Sequence, residues 1–509
     1  MPLNAVQRRL EALSTAVAGG YLIDTKLNVI SKQGWKWKVL RVILLVLRPI
    51  YACLGQDIYR EYRVNHVALA LLKLCEKHPD LSLDLKTKVV AHILVPLEAK
   101  TKGKYSAAIE QAKTGILAVG ENPGVLAQRK TVVQGALNRF AHQLHQRLAT
   151  RSPGSICFAP ISLAPILGMI LMGLPQEQKG AFLQTLGLQD FPEPIVHLAL
   201  NELVRDVMSL NGTLCSIQTA HALAAPDSAQ IFPQYRSRLS DFYRAEAFSV
   251  AQDPNEASRA INAWVAEKTG GHVQDLVQPA DLTAMDPRQT FFALLNGVYF
   301  AGKWEKDFQD AVDDEFIFAE AGAQQVKMMS VTKHLSAYDG DTFRMLEIPY
   351  KSPEGHRLTH LVFLPNAGNS LQPLEDQLTP GFVSRCRRYA EVHEYDVKMP
   401  KINVTLKIDE LLDDLDHLNL PVKSELSQLG ERATLTKIIH QAKVQVDEKG
   451  TVAVAATAAI GTIASCVRPD LTPVRRREFH INRDYAYFLM DNDQILFQGN
   501  VKDPQALVR

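Results

Sequence analysis

Cysteine is scarce in this sequence, with only six residues in 509. No Cys-x-x-Cys pair occurs and the six positions lie far apart, so their spacing fits neither a disulfide framework nor a zinc site. Several of them stand in apolar runs, which favours buried free thiols. The six are Cys53, Cys75, Cys157, Cys215, Cys386 and Cys466.

Features of a secretory signal are also missing from the first residues. The opening "MPLNAVQRRLEALSTAV" lacks a basic start, an apolar core and a small-residue cleavage site. Together with the cysteines, this predicts a reducing compartment, or export without a cleaved signal. Arg41 and Arg48 bracket only the six residues VILLVL, too few to span a bilayer.

Sequence patterns of catalytic sites are absent as well. We find no GxSxG, HExxH or GxGxxG. "GVYFAGKW" at 297–304 matches a phosphate loop in spacing, but Trp304 replaces the hydroxyl that ligates magnesium, and Tyr299 and Phe300 would crowd the phosphates. His142 and His145 are predicted on a helix surface, since no carboxylate or cysteine partner is close to them in the sequence. We therefore expect no enzyme activity, no metal and no cofactor.

Charge is nearly balanced overall, at +1, but unevenly distributed. Residues 1–124 hold 18 Lys and Arg against 10 Asp and Glu, which gives +8, whereas the remainder carries −7. Helical spacing of apolar residues in this part predicts a separate basic helical domain, 1–124, that faces an anionic surface or a protein partner. Its segment 35–54 is interpreted either as an interfacial helix or as a buried helix with snorkelling lysines. After the turn-like "GENPG", strand-like runs alternate with helical ones over 125–509.

One stretch contains no charge at all, from Gly450 to Val467: "GTVAVAATAAIGTIASCV". Threonines and glycines dilute it too much for a transmembrane helix, no apolar stripe marks a surface helix, and a linker would contain more Gly, Ser and Pro. A latent β-strand fits better, because alternate residues from Thr451 to Ala459 place only small side chains on one face. Such a face can enter a packed sheet without overpacking it.

Several further motifs, taken in order, resemble one family. They are "ICFAPISLAPILGMILMGLP", "QTLGL", "INAWVAEKTGGHVQDLV", "LLNGVYFAGKWEKDF", "VKMMS", "LEIPY", "LVFLP", "VKMPKINV", "VDEKGTVAVAATAAIGT" and "ILFQGNVKDP". Together they resemble the serpins, serine protease inhibitors with an exposed reactive loop that inserts into their largest sheet. The resemblance covers roughly residues 125–509 and leaves 1–124 as an unrelated extension. It implies an α+β serpin fold with three β-sheets, surrounding helices and a reactive loop at about 448–478.

Residue roles follow from the resemblance. It implies a scissile bond at Ala464–Ser465, a shutter beneath the parting strands at Ser162, Asn296 and His440, and structural roles for Trp304 and Phe308 at the breach. The hinge comprises Glu448, Gly450, Thr451, Ala453, Ala455, Ala456 and Thr457. We expect Thr451 at the exposed start of the loop in the intact protein.

Departures from the family pattern concern local stability. Ala159 stands where the family usually has Ser, Asp484 replaces a Pro, and Asn500 replaces a common Arg. The segment 465–485 also looks several residues longer than usual.

The small, uncharged hinge predicts an inhibitor that traps its protease by loop insertion, since burying an unpaired charge there would cost several kcal/mol. Ala464 at the cut suits a shallow apolar pocket like that of elastase. Cys466 keeps cysteine proteases open as targets, and a non-inhibitory serpin with a carrier, chaperone or storage role is the alternative. We expect a monomer with no nucleic-acid partner.

Overall fold

The computed structural model describes residues 123–508, apart from 153, 192, 227–228, 230, 251–252, 284–290 and 452–475. Nearly all of the predicted domain 1–124, including the segment 35–54, lies outside the described residues, so its role stays a prediction.

Helices surround and support the sheets. None of the described helices is long and apolar enough to cross a membrane. In chain order they are α1 (Pro123–Arg151), α2 (Pro160–Gly173), α3 (Gln176–Thr185), α4 (Glu193–Ser209), α5 (Pro233–Tyr243), α6 (Pro254–Lys268), α7 (Pro279–Thr283), α8 (Gln372–Gln377), α9 (Pro380–Arg388) and α10 (Leu411–His417), followed by a 3₁₀ turn at Pro504–Ala506.

Strands account for much of the rest. They are β1 (Cys157–Phe158), β2 (Cys215–Pro226), β3 (Glu246–Val250), β4 (Phe291–Lys303), β5 (Gln309–Phe318), β6 (Gly322–Asp339), β7 (Phe343–Pro349), β8 (Leu358–Pro365), β9 (Glu391–Pro400), β10 (Ile402–Ile408), β11 (Thr434–Asp447), β12 (Gly450–Thr451), β13 (Arg477–His480), β14 (Tyr485–Asp491) and β15 (Gln494–Val501). The false phosphate loop lies within β4 and its end, so its backbone is extended and cannot cradle phosphates.

One sheet has six strands in the order β10-β11-β12-β4-β2-β3. β10 pairs antiparallel with β11, and β2 pairs antiparallel with β4, but β11 and β4 are parallel neighbours. We call the direct pairing of β4 with β11 the seam. It brings together two strands that are far apart in the sequence.

The second sheet has nine strands, and the long β6 divides it into two halves. In one half β6 pairs with β5 and β9, and β9 pairs with β13. In the other half β6 pairs with β7, and the sheet continues through β8, β14 and β15 to β1. With the six-stranded sheet this makes the three-sheet arrangement, so the predicted α+β serpin fold is confirmed.

The core between the sheets is built around α2. All of its residues are buried, as expected of a helix that is apolar on every side. Pro160 starts it, where the first turn needs no N–H partner. The predicted buried thiols are confirmed for Cys157, Cys215 and Cys386, whereas Cys53, Cys75 and Cys466 lie outside the described residues.

Candidate functional site

The seam already holds the beginning of a further strand at one end. Direct pairing of β4 with β11 extends as far as Tyr299 and Lys443, after which the two strands diverge. The chain leaves β11, turns back and enters the gap as β12, with Thr451 opposite Val446 on one side and Gly302 on the other. An antiparallel strand has therefore entered the seam by two residues.

Trp304 and Phe308 hold the turn that precedes this strand. The Trp304 side-chain Nε1–H donates to the carbonyl of Asp447 at 2.9 Å, and its backbone N–H donates to the carbonyl of Lys449 at 3.0 Å. The Phe308 N–H donates to the carbonyl of Glu448 at 2.7 Å. Both residues thus lie where the hinge begins.

The hinge carboxylate of Glu448 is paired on two sides. Its Oε2 lies 3.0 Å from Lys401 Nζ, and its Oε1 accepts the N–H of Ala311 at 3.2 Å. Burial alone would raise the pKa of Glu448, but its hydrogen bonds and Lys401 hold the pKa below its ordinary value. The side chain therefore fixes the turn to β5 and to Lys401, the residue between β9 and β10.

Gly450 occupies a position that only glycine fits. Its φ is 144°, and a Cβ there would lie 1.9 Å from the carbonyl oxygen of Gly302. Any side chain would push the hinge out of the sheet.

The expectation that Thr451 is exposed was wrong. Its accessible fraction is only 1%, and its Oγ1 is 2.9 Å from the hydroxyl of Tyr350, whose ring stacks on Trp304 at 4.2 Å. Thr451 is buried because β12 has already entered between the diverging strands, which a sequence pattern alone does not reveal.

The shutter residues come together directly beneath the seam. Asn296 and His440 are paired across β4 and β11, and the Asn296 Oδ1 accepts from His440 Nδ1 at 2.8 Å and from Ser162 Oγ at 3.1 Å. All three side chains are buried. Ala159, despite lacking the usual hydroxyl, participates through its backbone: its N–H donates to His440 Nε2 at 3.3 Å. The network therefore joins α2 to both sides of the seam.

His221 belongs to the same network and was missed by the sequence reasoning. It lies on β2 directly opposite Asn296, whose Nδ2 is 2.8 Å from His221 Nδ1. The only sequence signal is a single histidine among the small residues of "QTAHALAA". Burial lowers the pKa of His221 to about 4 and that of His440 to about 3, so both imidazoles are neutral at physiological pH.

These neutral imidazoles predict an acid-sensitive fold. Because an unfolded histidine binds a proton below about pH 6.5 and these folded ones do not, stability is full above pH 6.5 and falls as pH drops toward 4. We expect each imidazole to reduce the free energy of unfolding by about 2 kcal/mol between pH 6.5 and 5. Urea unfolding at several pH values measures this.

A His221→Gln variant is the control for that experiment, because it should show a shallower pH dependence than the parent. Asp484 acts in the opposite direction, since burial raises its pKa to about 6. A free energy of unfolding that is constant from pH 6.5 to 5 in both proteins would contradict the prediction.

A second buried network explains Asn500, one of the departures from the family pattern. Its Oδ1 accepts the N–H of Ile156 at 2.8 Å, and its Nδ2 donates to Glu375 Oε1 at 2.6 Å. The same carboxylate oxygen lies 2.8 Å from His145 Nε2. A neutral amide fits here because Glu375 already has a partner in the imidazole.

The surface placement predicted for the helix histidines was therefore wrong. His145 and His142 are only 1% and 9% exposed. His145 is buried because it lies against Glu375 of α8 and Phe158 of β1 and not against solvent. Its carboxylate partner is 230 residues away in the sequence, which is why local patterns did not reveal it.

Ser209, His356 and Asp491 form a grouping that resembles a hydrolase triad. Ser209 Oγ is 3.3 Å from His356 Nε2, and His356 Nδ1 is 2.6 Å from Asp491 Oδ2. However, Ser209 donates its only hydroxyl proton to the carbonyl of Asp206 at 2.5 Å, and it ends α4, where carbonyls rather than N–H groups face outward. A developing oxyanion requires N–H donors. The grouping therefore ties α4 to β14 and does not support hydrolysis.

The remaining predicted site residues lie outside the described residues. They are Ala453, Ala455, Ala456 and Thr457 of the hinge, and Ala464 and Ser465 of the reactive bond.

Comparisons with known proteins agree with this architecture. The family model described as Serpin (serine protease inhibitor) matches residues 135–504. Alpha-1-antiproteinase F of Cavia porcellus is 29% identical over 403 residues, which cover 75% of this chain and 95% of the relative. The leukocyte elastase inhibitor of Bos taurus is 27% identical over 396 residues, which cover 73% of this chain and 99% of the relative. The structure of human thyroxine-binding globulin matches with a TM-score of 0.63 at 21% identity, covering 74% of this chain and 99% of that one.

Proposed function

Because the chain belongs to the serpin family, we propose that it inhibits a serine protease as a suicide substrate. The protease cleaves the reactive loop and forms an acyl-enzyme. The freed segment then inserts through the seam and carries the protease with it before water can hydrolyse the ester.

The observation that carries this proposal is the state of the seam. β4 and β11 are parallel neighbours, while β12 enters antiparallel between their diverging ends. Further insertion would replace one parallel pairing by two antiparallel ones, which are slightly more stable per residue. The intact sheet can therefore gain hydrogen bonds and stability by accepting the loop.

The register of β12 indicates where the following residues would insert. If the antiparallel pairing of Thr451 with Gly302 and Val446 continues, Ala453 comes opposite Phe300 and Ala455 opposite Val298. Phe300 and Val298 belong to the buried core between the sheets. Small residues at these positions would add a strand without overpacking that core.

The same register brings Thr457 between Asn296 and His440. Neighbouring strands lie about 4.8 Å apart, so insertion roughly doubles the separation of β4 and β11. The 2.8 Å hydrogen bond between Asn296 and His440 must then break. We infer that the Thr457 hydroxyl takes its place, because a threonine both donates and accepts. This gives the shutter two satisfied states, one closed and one inserted.

An elastase-like protease is the target that we propose. Ala464 before the scissile bond suits a shallow apolar pocket, and the bovine relative is named a leukocyte elastase inhibitor. A cysteine protease remains a second class to include in the panel because Cys466 lies next to the bond.

Incubation with a panel of proteases tests the proposal. We expect elastase-like serine proteases to form a complex that survives denaturing electrophoresis, with release of a fragment that starts at Ser465. Ala464→Arg is the matched variant, and it should transfer inhibition to trypsin-like proteases, whose pocket has a carboxylate at its base. If every protease only cleaves the loop and turns over, the inhibitor proposal fails and a non-inhibitory serpin takes its place.

A further inference from the structure

The segment that follows α6, residues 269–283, is fixed to that helix. We call it the connector. Asn262 of α6 holds it by two hydrogen bonds, because its Oδ1 accepts the N–H of Val277 at 2.9 Å and its Nδ2 donates to the carbonyl of Val277 at 2.8 Å. The helix and the connector are therefore expected to move as one body.

Apolar contacts place this body mainly on the strands at one side of the seam. Ile261 and Val265 of α6 share a buried cluster with small and aliphatic residues of β2 and β4, such as Ala222 and Leu295. His272 of the connector stacks on Tyr299 of β4 with ring centroids 3.7 Å apart. Seven residues of that buried cluster lie on β2 and β4, whereas Ile439 is its one member from β11.

Asp281 attaches the connector to the other side of the seam. Its Oδ2 lies 2.9 Å from the Nζ of Lys407 on β10, and its Oδ1 contacts the Nζ of Lys437 on β11. Its Oδ2 also accepts the N–H of Gln278 at 2.8 Å. We call Asp281, Lys407 and Lys437 the Asp281 cluster.

We propose that the Asp281 cluster is a latch that holds the seam closed and sets the rate of loop insertion. This inference rests on the proposed function, because it assumes that the loop enters between β4 and β11. Opening the seam moves β10 and β11 away from β4 by about one strand spacing, roughly 4.8 Å. An ion pair held at 2.9 Å cannot span that displacement while the connector stays on β2 and β4. The cluster must therefore break before the loop passes.

The cluster is more than an exposed ion pair. The side chains of Asp281, Lys407 and Lys437 are only 12%, 21% and 23% exposed, so water screens them less than a surface pair. Burial alone would raise the pKa of Asp281, but the hydrogen bonds from Lys437 and Gln278 hold it below its ordinary value. Removal of this single carboxylate takes away the charge that Lys407 and Lys437 share, and leaves Asp409 as the carboxylate beside Lys407.

A peptide-insertion experiment tests the latch. A synthetic peptide with the sequence of residues 451–464 is added to the intact protein, and its incorporation is followed by native electrophoresis. We expect Asp281→Asn to accelerate incorporation about tenfold, and Lys437→Met to act in the same direction. Asp281→Glu, which keeps the charge, should stay within about twofold of the parent.

Asp409→Asn is the matched control. Asp409 also pairs with Lys407, at 2.9 Å, but it follows β10 directly and does not cross the seam. This variant should insert peptide at the parental rate. For Asp281→Asn we further expect the partition to shift from cleaved inhibitor towards covalent complex. General destabilisation would not produce this shift.

The outcomes separate the two proposals. Suppose that the parent traps protease and that Asp281→Asn and Asp409→Asn both incorporate peptide at the parental rate. The latch proposal is then wrong and the inhibitor proposal stands. If the parent neither incorporates peptide nor traps protease, both proposals are overturned.

Discussion

Replacing Thr451 with arginine is expected to convert the protein from an inhibitor into a substrate and to destabilise its intact form. Thr451 is 1% exposed and hydrogen-bonded to Tyr350. A guanidinium is not solvated there, so β12 must leave the gap between β4 and β11. We expect the free energy of unfolding to fall by roughly 2 kcal/mol, because the buried hydroxyl of Tyr350 loses its contact with Thr451 and two strand residues lose their pairing.

Inhibition should suffer far more than stability in the same variant. During insertion the arginine has to enter the sheet interior, where an unpaired charge costs several kcal/mol. A barrier higher by only about 3 kcal/mol slows insertion roughly 100-fold, so deacylation wins the competition. The measurements are the thermal midpoint of the intact variant and the partition between covalent complex and cleaved product.

Thr451→Ser is the control for this pair of effects, since it keeps the hydroxyl that contacts Tyr350. It should trap protease nearly as well as the parent. If Thr451→Arg traps protease as efficiently as the parent, the segment does not insert as proposed, whatever its thermal midpoint.

Asn296→Ala is expected to have the largest effect on stability. Its side chain accepts from Ser162 and His440 and donates to His221 and to the carbonyl of Ser162. Truncation leaves the Nδ1 atoms of His221 and His440 without this partner, each at about 1–3 kcal/mol unless the site relaxes, whereas the Ser162 hydroxyl keeps the carbonyl of Ala159. We expect a loss of about 4 kcal/mol in the free energy of unfolding, measured by urea denaturation.

Ser162→Ala provides the comparison. It removes only the hydroxyl, whose single proton is shared between Asn296 Oδ1 and the carbonyl of Ala159, so about 1 kcal/mol should be lost. Equal losses for the two variants would contradict the view that Asn296 is the centre of the network.

The burial of the main elements could be predicted from the apolar runs of the sequence. "PISLAPILGMILMG" is a fully buried helix, and "LLNGVYFAGK" lies in a central strand. Apolarity alone does not distinguish a buried helix from a buried strand, so the type of each element followed from the resemblance to serpins. The phosphate-loop pattern could be rejected for a local reason as well, since bulky side chains between its glycines do not wrap phosphate. The resemblance to serpins added the roles of Ser162, Asn296 and His440, which do meet in one network.

Hydrogen-bond and ion-pair partners that are distant in the sequence could be identified only from the tertiary structure. Alternation along β2 assigns His221 to a face, but the register with β4 is what places it opposite Asn296. Similarly, nothing near His145 points to Glu375, and nothing near Asp281 points to Lys437.

The position of Thr451 shows most clearly what the sequence determines and what only the tertiary structure determines. Its small side chain and its place after Gly450 follow from the sequence, and they determine that the residue can enter a sheet. Whether it has entered depends on where β4 and β11 diverge, which is set by the packing of Trp304 and Tyr350 and by the turn held through Glu448. Local sequence thus determines which conformations a segment tolerates. Contacts between distant strands select one of them, because these contacts decide whether the segment is buried or exposed to water.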